Sequence, residues 1–195
     1  MTWIRIRFTL LLTLLTVWIA AMFASGVVAI AAFTSLPDLE LSTPAAEAFY
    51  GDDTEGVGRY VAGFVTNPVF VASDRIRSAA AIAILLLIVI SRGRILDRRC
   101  RVLRYLAGAT LKLGLVILAY TVIVLAPDIQ TTLTAWRAAV TDGDVERGAA
   151  IWKSFEVLHT IASTLLRIEF LTMVACFVLS SFVGPWRPPT TDTET

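Results

Sequence analysis

The chain has 195 residues, of which 56% are hydrophobic and 17% charged, with a formal net charge of +1 and a mean hydropathy of +0.73. Soluble domains carry about 25% charged residues, so this composition excludes an ordinary water-soluble domain and leaves no room for a second domain. The near-neutral total says little about partners, because the charges are sorted by sign along the chain.

Charge is largely excluded from four apolar stretches, residues 8–33, 76–90, 103–126 and 155–183. Crossing hydrocarbon takes about 20 mostly apolar residues. An unpaired backbone group in lipid costs several kcal/mol, so each crossing must be a helix. The second stretch reaches that length only as residues 74–91, which puts Arg75 and Arg77 near its outer end. The predicted fold is all-α. It is a single membrane domain over residues 1–195, an integral-membrane four-helix bundle running up-down-up-down with an extracytoplasmic loop cap.

In chain order, the first span follows a basic start at Arg5 and Arg7. Its apolar run exceeds the roughly 7–15 residues of a signal-peptide core, so it reads as a retained span. Ala21, Ser25 and Ala29 recur at i, i+4 and i+8. Small residues at that spacing let helices approach closely in lipid, which marks a helix-packing seam. Residues 34–73 then form the outer loop, with six carboxylates against Arg59. Pro37, Pro44 and the Gly51 and Gly56–Gly58 region read as turn signals. Short amphipathic helices are expected at residues 45–50 and 59–65, and Phe49, Tyr50, Tyr60, Phe64 and Phe70 favour a folded cap lying against the membrane.

Ser73 and Asp74 suit the N-cap of the second span. The arginine-dense loop that follows it, from Arg92 to Arg104, belongs on the cytoplasmic side. Anionic lipid headgroups explain its charge better than nucleic acid does. Both termini are then cytoplasmic, in the inner cell membrane. The third and fourth spans read as one long antiparallel hairpin turning at Thr141-Asp142-Gly143-Asp144. Its arms, residues 129–140 and 145–155, project on the order of 20 Å past the bilayer. Pro127 kinks or restarts the helix at the exit of the third span. The proline-rich tail, residues 184–195, is expected to be disordered.

A charged side chain at a helix centre costs about 2.5–3.5 kcal/mol on insertion scales, so the informative charges are those that cannot escape. Arg77, His159, Arg167 and Glu169 form a candidate intramembrane polar cluster. Counting along the helices from Gly143 puts Glu169 about 13 Å and Arg77 about 9 Å below the outer surface. At that depth the two can pair. Arg167, two residues from Glu169, points to nearly the opposite side, toward Asp74 or Glu156. Such a cluster either locks two helices together or forms a polar, proton-handling vestibule open to the outside. His159, the only histidine, lies about 21 Å along the axis from Met173, which with Cys176 offers soft ligands. No metal site, cofactor or catalytic residue is therefore expected, and no nucleophile elbow, phosphate loop or dinucleotide fingerprint is present. Cys100 and Cys176 are too far apart for a disulfide. Cys100, beside the interface, is either an acylation site or an ordinary small residue.

Phe155, Leu158, His159 and Ser163 form a Phe-x-x-Leu-His-x-x-x-Ser pattern near the start of the last span. With Trp18 in the first span and Phe33-Thr34-Ser35-Leu36-Pro37 at its outer end, this resembles the membrane family called domain of unknown function 4149, related to transmembrane protein 205. The resemblance implies a small four-span membrane protein and no settled activity. The acidic outer loop and the Arg167/Glu169 pair depart from the family pattern. Two functions follow as expectations. One is a non-enzymatic membrane subunit or scaffold whose partners are the lipid bilayer and a membrane protein or a second copy. The other is a small oligomeric transporter or channel-like protein with a polar outer vestibule.

Overall fold

The computed structural model describes residues 2–39, 43–90 and 98–183. The predicted disordered tail and residues 92–97 of the arginine-dense loop lie outside the described residues; the rest of that expected loop, from Arg98, is helix. The described residues are almost entirely helical and form six α-helices. Three helices are long and apolar enough to cross a membrane, over Arg5–Ser35, Arg101–Asp142 and Val145–Val183.

Helix α1, Thr2–Ser35, stops because Pro37 disfavours helical backbone at the residue before it. A 3₁₀ turn over Pro37–Leu39 follows. Helix α2, Pro44–Tyr50, is set by Thr43, whose side chain accepts the Ala46 N–H at 3.2 Å, with Pro44 in the first turn. Proline suits that position because the missing N–H has no intrahelical partner there anyway. Gly51, at φ 60°, ends it.

Helix α3 corrects the sequence reading. The expected loop to residue 73 and short helix at 59–65 are replaced by one continuous helix, Thr54–Ile90, running through Pro68. Asp53 caps it, its Oδ1 accepting the Gly56 N–H at 2.9 Å. Pro68 cannot donate to the carbonyl four residues back, yet packing on one face outweighs that loss. Val57 and Tyr60 near the start, and Ser73, Arg77, Ala80 and Ile84 further on, are buried at spacings of three and four residues. That is the stripe of a helix with one packed side. Beside the proline, the Asn67 and Gln130 amides bond each other reciprocally at 2.8 and 3.4 Å.

Helix α4, Arg98–Tyr120, passes through a π turn, Thr121–Leu125, into α5, Ala126–Asp142. The Ala126 N–H bonds Thr121 O five residues back. Pro127 follows immediately, so the helix widens by one residue just where the proline would leave a carbonyl unpaired. Helix α5 ends at Gly143, whose φ of 69° is left-handed, and α6 runs over Val145–Val183. The expected hairpin turn thus stands at Gly143.

α1 packs on α3 and α6, α6 packs on α4 and α5, and α3 scarcely touches α4. One core gathers Trp18, Met22, Ile84, Leu118, Met173 and Cys176 from all the long helices. A second, separate core joins Ala46, Val57, Tyr60, Leu133, Trp136 and Val140, making a cap of α2, α5 and the first turns of α3 and α6. The seam residue Ser25 is 2% exposed. Ala21 accepts Ser73 Oγ at its carbonyl at 3.0 Å, and Ala29 is half-buried, so this stripe turns toward α3. Where α4 meets α6, a Cβ on Gly114 would stand 2.1 Å from Met173 Cε, which only glycine allows without a shift.

Candidate functional site: a buried carboxylate network

Each long helix except α4 sends one polar group into the core at a common level. Trp18 sits on α1 among apolar neighbours and is 0% exposed. Its indole N–H needs an acceptor there, because a buried donor left unpaired costs about 1–3 kcal/mol. It donates to Glu169 Oε1 on α6 at 2.8 Å. The other oxygen of Glu169 accepts Arg77 Nη1 of α3 at 2.7 Å. Arg77 reaches back along its own helix with Nη2 to Asp74 Oδ1. Glu169 is 0% and Arg77 2% exposed, whereas the Asp74 side chain is 25% exposed.

This network is a buried ion pair extended at both ends. Desolvating two charges costs several kcal/mol each, and geometry must repay it. Here both carboxylate oxygens of Glu169 accept a hydrogen bond, and the guanidinium is held by two carboxylates. One polar atom stays without a partner, Arg77 Nε. Asp74 anchors the exposed end of the network, where its carboxylate keeps contact with the surroundings.

Of the residues singled out from the sequence, Arg77 and Glu169 come together and the others do not. Arg167 is exposed, and among the described residues neither Asp74 nor Glu156 pairs with it. His159 is exposed and stacks on Phe155, with ring centroids 5.7 Å apart. Phe155 packs against the cap core, and Leu158 and Ser163 are half-buried. Trp18 and Asp74 as partners of the pair were missed. The signal for Asp74 was its i, i+3 spacing from Arg77, which brings the two side chains to one helix face. Trp18 gave no comparable signal, since its donor role depends on which helix faces it. Cys176 is buried and donates weakly to Ala107 O at 3.5 Å. Among the described residues no three His, Cys, Asp or Glu side chains stand close enough together to hold a metal ion.

The cap is the other organised region. Its rings run in a chain from Tyr60 through Trp136 and Trp152 to Phe155, with centroids 5.0–5.2 Å apart. Arg137 lays its guanidinium over Phe64 at 3.9 Å, a cation–π contact. Burial, then the nearby Asp53 and Tyr60, push the Tyr50 hydroxyl up to about 12. Burial also raises Tyr60, against the pull of Arg137. Comparison with protein-family models, with curated proteins and with solved structures gave no match.

Proposed function

We propose that this chain is a four-span inner-membrane protein, an up-down-up-down bundle with cytoplasmic termini and an outer helical cap, acting as a non-enzymatic subunit or scaffold. The observation that carries this reading is the closure of the Trp18–Glu169–Arg77–Asp74 network. Among the described residues, the buried charged side chains are Arg77 and Glu169, and they are spent on each other. Neither is left over for proton abstraction, nucleophilic attack or metal binding. Such a network joins α1, α3 and α6, which is a fastening role.

The outward faces support the membrane. Phe23, Ile30, Ile82, Val89, Val116, Ile123, Leu171 and Phe182 are each 60% exposed or more. Large apolar side chains in such numbers outside a fold need lipid or a partner to cover them. α3 is not among the three helices long and apolar enough alone, since its last 18 described residues hold Asp74, Arg75 and Arg77. Pairing Arg77 with Glu169 and Asp74 lowers the cost of its entry, which supports a fourth span. The resemblance to domain of unknown function 4149 agrees with four spans and rests on the residues alone.

A second reading, a small oligomeric transporter, is favoured by one observation. Arg77 is bonded to two carboxylates of different exposure, so Glu169 can lose its partner without leaving the guanidinium bare. Gentle detergent extraction from the native membrane, followed by mass spectrometry of what co-purifies, tests the choice. A stoichiometric second protein supports the subunit reading. A pure homo-oligomer with ion flux in liposomes that Glu169→Gln abolishes overturns it in favour of transport.

A further inference from the structure

The cap holds an opening that the buried network does not explain. A cavity of about 260 Å³ lies between α2, the start of α3, α5 and the start of α6. Pockets for drug-sized ligands begin at about 300 Å³, so this one takes a small molecule. Tyr50, Tyr60, Trp136 and Trp152, one from each of four helices, line it. Successive rings are tilted against one another, by 57° between Tyr60 and Trp136 and 43° between Trp136 and Trp152, so the lining is a contiguous aromatic surface.

Asp53 lines the same cavity. One of its oxygens caps α3, and among the described residues no cation pairs with it. Arg59, also on the wall, is bound to Glu55 at 2.5 Å, which answers its charge. Across residues 43–63 and 137–153, seven carboxylates stand against three arginines and one lysine, so the surroundings favour a cation. Aromatic faces attract cations through their negative quadrupole, most effectively where the cation sheds little water.

We infer that this cavity binds a small alkylated ammonium ion, its methyl groups against the aromatic walls and its charge toward Asp53. Gly148 lines the cavity, about 10 Å along α6 from the apolar run that begins at residue 155. The ligand is therefore a free solute rather than a lipid headgroup. The site does not depend on the scaffold reading, since either membrane role leaves the cap as it is.

The test is calorimetric titration of the full chain in maltoside micelles with choline and with 3,3-dimethylbutan-1-ol, its uncharged carbon isostere. Choline should bind saturably, and the isostere about tenfold or more weakly. Asp53→Asn keeps an N-cap for α3 and removes the charge. With its melting temperature unchanged, it should weaken choline by about tenfold, as should Trp152→Leu. Absence of saturable binding, equal binding of the isostere, unchanged affinity in both variants, or binding only to phosphatidylcholine bilayers would each overturn the inference.

Discussion

Removing either member of the Arg77–Glu169 pair should not cost the same, and the asymmetry follows from who keeps a partner. In Arg77→Met, Glu169 retains only the Trp18 N–H at 2.8 Å. Its charge, 0% exposed, then has no counter-ion. Breaking a buried pair in this way costs about 3–5 kcal/mol. In Glu169→Gln, the amide oxygen still accepts from Trp18 while its NH2 faces the Arg77 donor and must turn away from it, and Arg77 still has Asp74. What is lost is one charge-assisted hydrogen bond, about 1.5–3 kcal/mol. The double variant Arg77→Met/Glu169→Leu removes both charges. Buried pairs exchanged for apolar side chains of similar size are often neutral or stabilised by about 1–4 kcal/mol. The double variant should therefore be more stable than Arg77→Met alone, though Trp18 loses its acceptor. Reversible unfolding in mixed micelles of graded denaturing-detergent content gives all three free energies. Equal costs for the two single variants, or a double variant less stable than Arg77→Met, would refute the reasoning.

Other outcomes follow from backbone and titration. A Cβ on Gly58 would lie 2.5 Å from the Pro37 backbone, so Gly58→Ala should destabilise by about 1–3 kcal/mol. Gly114→Ala meets only the mobile end of Met173 and should cost under about 1 kcal/mol; thermal unfolding of the pair checks the order. Gly143→Ala forces a left-handed residue at φ 69° and should cost about 1–2 kcal/mol in the same assay, with Gly143→Asn costing less. The fold raises Tyr50 from 10.0 to about 12, so it favours the neutral phenol. Its contribution is intact below the unfolded value and falls as pH rises toward the folded one. Tyr50→Phe should flatten the loss of melting temperature in that alkaline window.

How far the sequence could be read depends on the residue. Counting at 1.5 Å per residue from Gly143 brought Glu169 level with Arg77, and the two are in contact at 2.7 Å. That worked because a helix has a fixed rise and the turn is marked by a glycine at φ 69°. The count cannot say which way a side chain faces across helices, so Trp18 went unrecognised as a donor and His159 and Arg167 were grouped with residues they do not meet. The course of α3 was misread for a different reason. Pro68 and the glycines before it are local breakers, while the force that overrides them is packing against α5 and the end of α1, which local composition does not carry. The buried stripe from Val57 to Ile84 was present in the letters but hidden under those breakers. Function was least legible, because a buried ion pair such as Arg77–Glu169 carries no motif that names a chemistry.

The π turn at Thr121–Leu125 has a consequence for how the molecule tolerates change. One extra residue in a helix turns everything beyond it by about 100°. Leu111 and Leu118 before the turn face the inner core, and Leu133, Trp136 and Val140 after it face the cap. The widened turn thus acts as a phase shift between two halves of one unbroken rod. A single-residue deletion there would leave both halves helical and both apolar faces intact, yet aim the second one away from α2 and α3. Length in this short stretch is therefore constrained more tightly than residue type, because it sets the angle at which α5 meets its neighbours.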